Sequence, residues 1–303
     1  MDFVVVDDIV RTPVERFANL AVFPFDPVFR DWRGMRLAHI DVGQGPVVVL
    51  LHGEPTWSYL WRKVIPPLAA AGFRCIAPDL PGFGRSDKPL DPAWYSYDNH
   101  TASVGSLLDD LDLSDVTLVM HDWGGPIRLR LATIDQRDRI SRVVLMDTGV
   151  FTGEQTMSDE WLRFRAFVAA HPDVPIRPLI RGGCKHPPAS AVLDAYDAPF
   201  PTAASKAGVR RFPELIPLAA DAPGAATGRE VLRGLLRDHR PALILWADAD
   251  PVLPLEPFGR QMQRVLPMAD QLRVIADAGH YLQEDQGELV GRTITDWLAG
   301  VRR

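Results

Sequence analysis

Val119-Met120-His121-Asp122-Trp123-Gly124-Gly125 is the stretch of this sequence that decides the fold. It ends the apolar run of a buried strand, and its two glycines open a segment with helical patterning, so it predicts a sharp turn from a strand into a helix. Asp122 falls at the apex of that turn, where the N-terminus of the following helix favours an ionised carboxylate. The stretch therefore predicts a strand, a tight turn that presents one acidic side chain, and a helix.

This turn resembles the nucleophile elbow of the α/β-hydrolases, with an aspartate where esterases of that superfamily carry a serine. A carboxylate is already ionised at neutral pH and attacks without a base to remove its proton. When it displaces a leaving group from a saturated carbon it forms an ester, which water can hydrolyse, whereas a serine would form a stable ether. Asp122 therefore predicts substitution at an alkyl or epoxide carbon rather than acyl transfer.

The composition is that of an ordinary globular enzyme. The chain has 303 residues, of which 47% are hydrophobic and 24% charged, and its formal net charge is −6. That charge gives no case for nucleic acid or an anionic membrane surface as a partner, and no run reaches the roughly 18–20 apolar residues of a membrane span. The start of the chain lacks a secretory signal pattern, and Cys75 and Cys184 lack metal or redox spacing. We therefore expect a cytoplasmic, monomeric protein.

Short β-rich segments alternate with helical patterns along the chain, which predicts a mostly parallel sheet covered by helices. Val47–Leu51 is apolar throughout, as expected of a strand buried on both faces. The other predicted strands are residues 37–42, which we expect to be antiparallel, 73–77, 116–120, 142–146, 242–246 and 271–275. The predicted helices are residues 59–71, 101–111, 124–134, 255–265 and 287–298.

The alternation of strand and helix patterns stops between residues 152 and 235. This segment has helical patterning that is repeatedly broken by prolines, and it contains no convincing buried strand. We therefore predict an α/β-hydrolase fold with an eight-stranded, mostly parallel sheet. Residues 1–151 and 236–303 would form the core, and residues 152–235 would form an inserted helical cap.

His280 is the candidate general base. It follows the last predicted strand, and it completes the chain order nucleophile, acid, base that is typical of this fold. Asp250, after the strand at residues 242–246, is the preferred acid to orient its imidazole. Asp147, which ends the strand at residues 142–146, is the alternative acid, because either carboxylate could orient the ring. Asp248 is expected to cap its own loop instead.

His52-Gly53-Glu54-Pro55-Thr56-Trp57 follows the buried strand at Val47–Leu51. In this fold that loop donates a backbone N–H to an oxyanion hole, here from Glu54, paired with the backbone N–H of Trp123. The alternative is a plain turn built on glycine and proline. His121, although next to the nucleophile, is expected to point away from it and to pack.

A departing halide must be stabilised by donors that carry no competing acceptor, and the indole N–H is such a group. Trp123 lies next to the nucleophile, and Trp161 lies near the start of the cap, so each can offer one donor. For Trp161 the alternative is simple packing. Val252 and Leu253, just past the preferred acid, would form an apolar wall of the substrate pocket.

Several segments together resemble the haloalkane dehalogenases over nearly the whole chain. They are Arg11-Thr12-Pro13, His52-Gly53-Glu54-Pro55-Thr56-Trp57-Ser58-Tyr59, Gly82-Phe83-Gly84-Arg85-Ser86-Asp87-Lys88-Pro89, Asp122-Trp123-Gly124-Gly125, Asp197-Ala198-Pro199-Phe200-Pro201 and Asp277-Ala278-Gly279-His280. The resemblance is closest to the subgroup that holds the halide with two tryptophans, because Glu54 stands where the other large subgroup has an asparagine. Asp147 departs from that subgroup, since it occupies the position at which the other subgroup carries its acid.

The resemblance implies a two-step reaction. Asp122 would displace halide from a small apolar halogenated substrate, and His280 would then activate water against the resulting ester. The products would be an alcohol, halide and a proton, and the reaction would need neither a metal nor another cofactor.

Two other functions remain as alternatives. An epoxide hydrolase uses the same aspartate, histidine and acid, but its chemistry favours a pair of cap tyrosines that protonate the opening ring, and only Tyr196 falls in the predicted cap. A ligand-binding protein without catalytic activity could also use this fold, but the complete acid–base set argues against it.

Overall fold

The computed structural model describes residues 4–6 and 8–301; the outermost residues of the predicted core segments, 1–3 and 302–303, lie outside the described residues. The strands are β1 (Val4–Val6), β2 (Ile9–Arg11), β3 (Val28–Trp32), β4 (Met35–Val42), β5 (Val47–Leu51), β6 (Arg74–Pro78), β7 (Lys88–Pro89), β8 (Val116–His121), β9 (Ile140–Met146), β10 (Ala242–Ala247) and β11 (Arg273–Ile275). The seven strands located from the sequence are all present, with ends that differ by at most two residues.

The main sheet has eight strands in the order β11-β10-β9-β8-β5-β6-β4-β3. The strands from β11 to β6 pair in parallel, and β4 and β3 are antiparallel. This arrangement confirms the predicted α/β-hydrolase fold with its mostly parallel sheet. The eighth strand, β3, was not located from the sequence because it is an edge strand with mostly exposed or half-buried residues and therefore lacks a clear apolar alternation.

A second, three-stranded sheet joins β1, β2 and β7. It was not predicted from the sequence, because β7 contains only two residues, one of them a proline. Arg11 in β2 donates two hydrogen bonds to the carboxylate of Asp87, at 2.8 and 2.6 Å. This pair connects two of the segments that carry the family resemblance.

The helices are α1 (Ile65–Ala70), α2 (Tyr97–Asp110), α3 (Gly124–Arg130), α4 (Asp159–Ala170), α5 (Ile176–Gly183), α6 (Ser190–Asp197), α7 (Ala207–Leu215), α8 (Ala225–Leu235), α9 (Arg260–Val265), α10 (Leu282–Asp285) and α11 (Gly287–Gly300). The predicted helix at residues 59–71 is divided into a 3₁₀ segment, Ser58–Lys63, and α1. The division follows from Pro66 and Pro67, which lack an N–H and fit only in the first turn of an α-helix. Helix α2 begins earlier than predicted because the hydroxyl of Ser96 caps it.

Helices α4 to α8 all lie between β9 and β10 in the chain. Ser158 precedes α4, and its hydroxyl accepts a hydrogen bond from the backbone N–H of Trp161 while donating one to the carbonyl of Val252 at 2.8 Å. Thr12 donates a hydrogen bond of 2.7 Å to the carbonyl of Pro199. The helical segment is thus tied both to the loop after β10 and to the N-terminal segment.

Parallel strands place their carboxyl ends at one edge of the sheet, and loops at that edge form the usual site of this kind of fold. The loops after β5, β8, β9, β10 and β11 carry Glu54, Asp122, Asp147, Asp250 and His280 respectively. Within residues 4–6 and 8–301, no helix combines the length and the apolar character that crossing a bilayer requires.

Candidate active site

Asp122 sits on a strained turn directly after β8. Its φ of +50° is unusual for a residue with a side chain. A Cβ on Gly124 would collide with the carbonyl of Leu51, and one on Gly125 would collide with the side chain of Thr148. Thr148 also donates a hydrogen bond of 2.6 Å to the carbonyl of Asp122. The two glycines are therefore required for the close packing that presents the Asp122 side chain.

Backbone donors surround the carboxylate of Asp122. The N–H of Glu54 donates to its Oδ1 at 2.8 Å, and the N–H of Trp123 also donates to this carboxylate. A Cβ on Gly53 would collide with the same carboxylate, so only glycine lets this loop approach the nucleophile so closely. These two N–H groups are the ones expected to form an oxyanion hole. They lie next to the carboxylate of Asp122, where they stabilise its negative charge.

His280 lies between two carboxylates. Its Nε2 is 3.4 Å from Oδ2 of Asp122, and its Nδ1 donates to Oδ2 of Asp250 at 2.8 Å. The remaining oxygen of Asp250 accepts the backbone N–H groups of Val252 and Leu253, at 2.7 and 3.0 Å. Of the two candidate acids, Asp250 is therefore the one that makes a described hydrogen bond to the imidazole.

The charges of this cluster shift one another's pKa values. Burial alone would raise the pKa of Asp122, but the hydrogen bond and charge of His280 lower it below the usual carboxyl value. Burial alone would lower the pKa of His280, but the charges of Asp250 and Asp122 and the hydrogen bonds to them raise it well above the usual value. Asp122 is therefore ionised at neutral pH, and the charges of the two carboxylates favour the protonated imidazole.

Asp147, the alternative acid, is fully buried beside this cluster. Its Oδ1 accepts the backbone N–H of Ala247 at 3.1 Å, and it makes no described hydrogen bond to His280. Asp248 accepts the backbone N–H groups of Asp277 and Ala278, at 3.0 and 3.1 Å, so it caps the neighbouring loop, whereas the sequence predicted that it caps its own loop.

His121 does more than pack. Its ring centroid lies 4.9 Å from that of His280, and its Nε2 lies 2.8 Å from the carbonyl oxygen of His280. Burial and the charge of His280 lower the pKa of His121 to about 4, so the ring is neutral at neutral pH. A neutral ring with its proton on Nε2 donates to that carbonyl and holds the backbone of the candidate base.

A cavity of about 180 Å³ opens above Asp122. It is lined by Glu54, Asp122, Trp123, Trp161, Phe164, Pro178, Leu179, Gly182, Gly183, Val252, His280 and Tyr281. The lining joins core loops to α4 and α5, and it is apolar apart from the catalytic cluster. The sequence did not identify the residues from Phe164 to Gly183, because the face of α4 or α5 that points into the cavity depends on packing.

Leu253 does not line this cavity, although Val252 does. The backbone N–H of Leu253 donates to Asp250, and its carbonyl accepts the indole N–H of Trp246 at 2.9 Å. Of the two residues expected to form an apolar wall, Val252 lines the cavity, whereas Leu253 stabilises the loop that carries Asp250.

Trp123 and Trp161 face the same cavity, one from the elbow and the other from α4. Both are almost fully buried, and no hydrogen bond from either indole N–H is described. Trp123 packs against the rings of Tyr97 and Phe212, with centroids 5.6 and 5.1 Å apart. Two donors without acceptors therefore meet in an apolar cavity, which suits a halide.

The tyrosines do not form the pair that epoxide opening favours. Tyr196 in α6 is outside the cavity lining, and its hydroxyl donates to Glu284 at 3.0 Å. Tyr281 lines the cavity from the core, and its hydroxyl lies 3.5 Å from the carbonyl of Glu54. The described cavity thus has one tyrosine, and it does not come from the cap.

Comparison with known proteins gives one consistent result. Residues 46–172 match the family model of the alpha/beta hydrolase fold. The chain is 40% identical to a haloalkane dehalogenase of Psychrobacter cryohalolentis, over 96% of this chain and 98% of that protein. It is also 40% identical to a haloalkane dehalogenase of Mycobacterium marinum, over 96% and 99% of the two chains. The tetrameric haloalkane dehalogenase DpaA from Paraglaciecola agarilytica superimposes with a TM-score of 0.88 and 34% identity, covering 94% of this chain and 97% of that one.

Proposed function

The chain belongs to the haloalkane dehalogenases, and we propose that Asp122, His280 and Asp250 are its catalytic triad. The enzyme hydrolyses carbon–halogen bonds of haloalkanes to an alcohol, halide and a proton. One arrangement supports the assignment of residues: an ionised carboxylate, a histidine paired to a second carboxylate and two unpaired indole donors share one small apolar cavity.

In the first step, the carboxylate of Asp122 attacks the carbon that bears the halogen. A C–O bond forms as the C–halogen bond breaks, and the halide leaves with the bonding electron pair. The indole N–H groups of Trp123 and Trp161 stabilise the charge that develops on the halogen, and they act in a cavity with little competing water.

In the second step, water attacks the carbonyl carbon of the Asp122 ester. The ester has lost the negative charge of Asp122, which is one of the causes that raise the pKa of His280. The imidazole can then take the proton of the water, while Asp250 stabilises the resulting cation. The backbone N–H groups of Glu54 and Trp123 hold the oxyanion. Its collapse breaks the ester C–O bond, the departing alkoxide takes the remaining proton of the water and leaves as the alcohol, and the carboxylate of Asp122 is restored. The imidazolium then releases its proton to solvent.

The cavity limits the substrate. Its volume of about 180 Å³ and the apolar contacts from Phe164, Leu179 and Val252 favour a small apolar haloalkane. An epoxide hydrolase is not favoured, because the cap supplies no tyrosine to the described cavity.

Bromide release from a panel of short bromoalkanes tests the function. Wild-type protein is expected to release bromide and alcohol in equal amounts, and Asp122→Ala to release neither. An active Asp122→Ala variant, or a wild-type protein without activity on the whole panel, would contradict the proposal.

We also propose a cytoplasmic location, a helical cap and a monomeric state. Cys75 and Cys184 are free thiols, which suits the reducing environment of the cytoplasm. The run of helices from α4 to α8 supports residues 152–235 as a cap on a core of residues 1–151 and 236–303. The monomeric state stays a prediction, and light scattering on the purified protein tests it.

A further inference from the structure

Asp147 is a buried acid that the proposed mechanism does not use. It follows β9 with a φ of +39°, and it has no exposed surface. One oxygen accepts the N–H of Ala247, while Oδ2 has no donor within the part of the chain that the structure describes. A buried carboxylate oxygen without a donor is costly, so this oxygen requires an explanation.

The neighbour of Asp147 is the triad acid. The two side chains lie within hydrogen-bonding reach of each other. Two carboxylates at that distance in a buried site cannot both be ionised, so one proton is shared by the pair.

The donors around the pair decide where the proton resides. Asp250 accepts three hydrogen bonds, from two backbone N–H groups and from His280, whereas Asp147 accepts one. The better stabilised anion is therefore Asp250. In agreement, burial and the charge of Asp250 raise the pKa of Asp147 well above the usual value, although the charge of His280 acts in the opposite direction.

We propose that Asp147 is a neutral carboxylic acid that donates its proton in a hydrogen bond to Asp250, and that it is a positioning residue for the catalytic pair. The oxygen of Asp250 that binds His280 has a free lone pair for this donor. The proposal rests on the roles assigned above to Asp250 and His280.

This hydrogen bond has a consequence for catalysis. It withdraws charge from Asp250, so Asp250 stabilises the protonated imidazole less, and His280 releases its proton at lower pH than it otherwise would. The charged groups that face His280 are Asp122 and Asp250; His121 is neutral, and burial and the charge of Asp122 raise the pKa of Glu54 well above its usual value, which favours its neutral form. Asp147 thus extends the pH range in which the base can accept a proton from water.

Two substitutions separate this role from its alternatives. Asp147→Asn keeps the shape, the neutral state and a donor, whereas Asp147→Leu removes the donor. The measured quantity is the rate at which the alkyl ester disappears after the halide burst, as a function of pH. The acid limb of this pH profile is the pH range in which the rate falls as the pH decreases. We expect it to stay in place for Asp147→Asn and to move to higher pH by roughly half a pH unit or more for Asp147→Leu. A shift of that size corresponds to less free energy than one charged hydrogen bond contributes.

The other outcomes contradict the proposal. If Asp147 were ionised, both substitutions would remove a negative charge near His280 and move the acid limb down. If Asp147 only filled space, neither would move it.

Infrared spectroscopy tests the protonation state without turnover, and it remains informative if Asp147→Leu does not fold or if the assigned function fails. The difference spectrum of wild-type minus Asp147→Asn protein at neutral pH should contain the carbonyl band of a protonated carboxyl group. A difference spectrum with carboxylate bands in its place would overturn the proposal whatever the activity of the protein.

Discussion

The imidazole of His280 and the carboxylate of Asp250 are joined by a 2.8 Å hydrogen bond, although they follow different strands of the sheet. The bond places the proton on Nδ1, so Nε2 faces Asp122 and is free to accept a proton from water. The geometry of one hydrogen bond thus decides which ring nitrogen does the chemistry.

Replacing Asp250 with asparagine should therefore reduce turnover by at least about a hundredfold, because the amide favours the wrong tautomer and does not stabilise the cation. Asp248→Asn is the matched control, since Asp248 follows the same strand but is exposed and contacts only backbone N–H groups of the neighbouring loop. Steady-state halide release measures both variants. Equal losses of turnover in the two variants would contradict the assignment of Asp250 as the acid that pairs with His280.

The two steps should respond differently to acid. The pKa of Asp122 is lowered from the ordinary value of 3.8, so the nucleophile stays ionised as the pH falls from neutral toward that value. His280 must be neutral to activate water, and the charge of Asp250 still raises its pKa after the ester has removed the charge of Asp122, so hydrolysis should be lost first. Rapid-quench measurement should show a constant halide burst with declining turnover. A burst that declines together with turnover would show that alkylation itself needs the neutral imidazole.

The two tryptophans should each contribute to halide binding. Trp123→Phe and Trp161→Phe keep an aromatic ring but remove the N–H, so each should weaken bromide binding by about tenfold or more, as expected for one hydrogen bond to an ion. Bromide titrations and kcat for a bromoalkane measure the effect. Trp94→Phe is the control, because Trp94 packs against Trp32 and Tyr95 outside the cavity lining. Unchanged bromide affinity in the Trp161 variant would assign that residue to packing.

Glu54 should act as a neutral group beside the nucleophile. Burial and the charge of Asp122 raise its pKa well above the usual value, which favours the neutral carboxyl. Glu54→Gln should then leave kcat/KM within about threefold at neutral pH. It should also remove any loss of activity that the wild type shows as rising pH ionises Glu54 and forms a second charge beside Asp122. The exposed Glu288→Gln provides a control with the same chemical change. A large loss at neutral pH would show that the negative charge of Glu54 is needed.

The sequence predicted those parts of the fold that depend on local pattern. The buried run at Val47–Leu51 and the glycines after Asp122 have few structural alternatives, so both were placed correctly. The half-exposed strand Val28–Trp32 has no such pattern, and it was missed.

The predicted fold was enough to predict only some of the residues of the candidate site. Because the carboxyl ends of parallel strands meet, residues after the strands could be brought together from their chain positions alone. The order of neighbouring strands was not available from the sequence, so the choice between Asp250 and Asp147 stayed open. The inward faces of α4 and α5, and the position of Leu253 in the core outside the cavity, depend on side-chain packing that sequence patterns do not specify.

Intact-mass analysis of His280→Phe protein incubated with 1-bromobutane tests the central assignment most directly. Because Asp122 attacks without a base and His280 is needed only for hydrolysis, the variant should release one equivalent of bromide and retain one butyl group. Peptide mapping should place that group on Asp122, and the double variant with Asp122→Ala should stay unmodified. Bromide release that continues beyond one equivalent, or a butyl group on any other residue, would contradict the account.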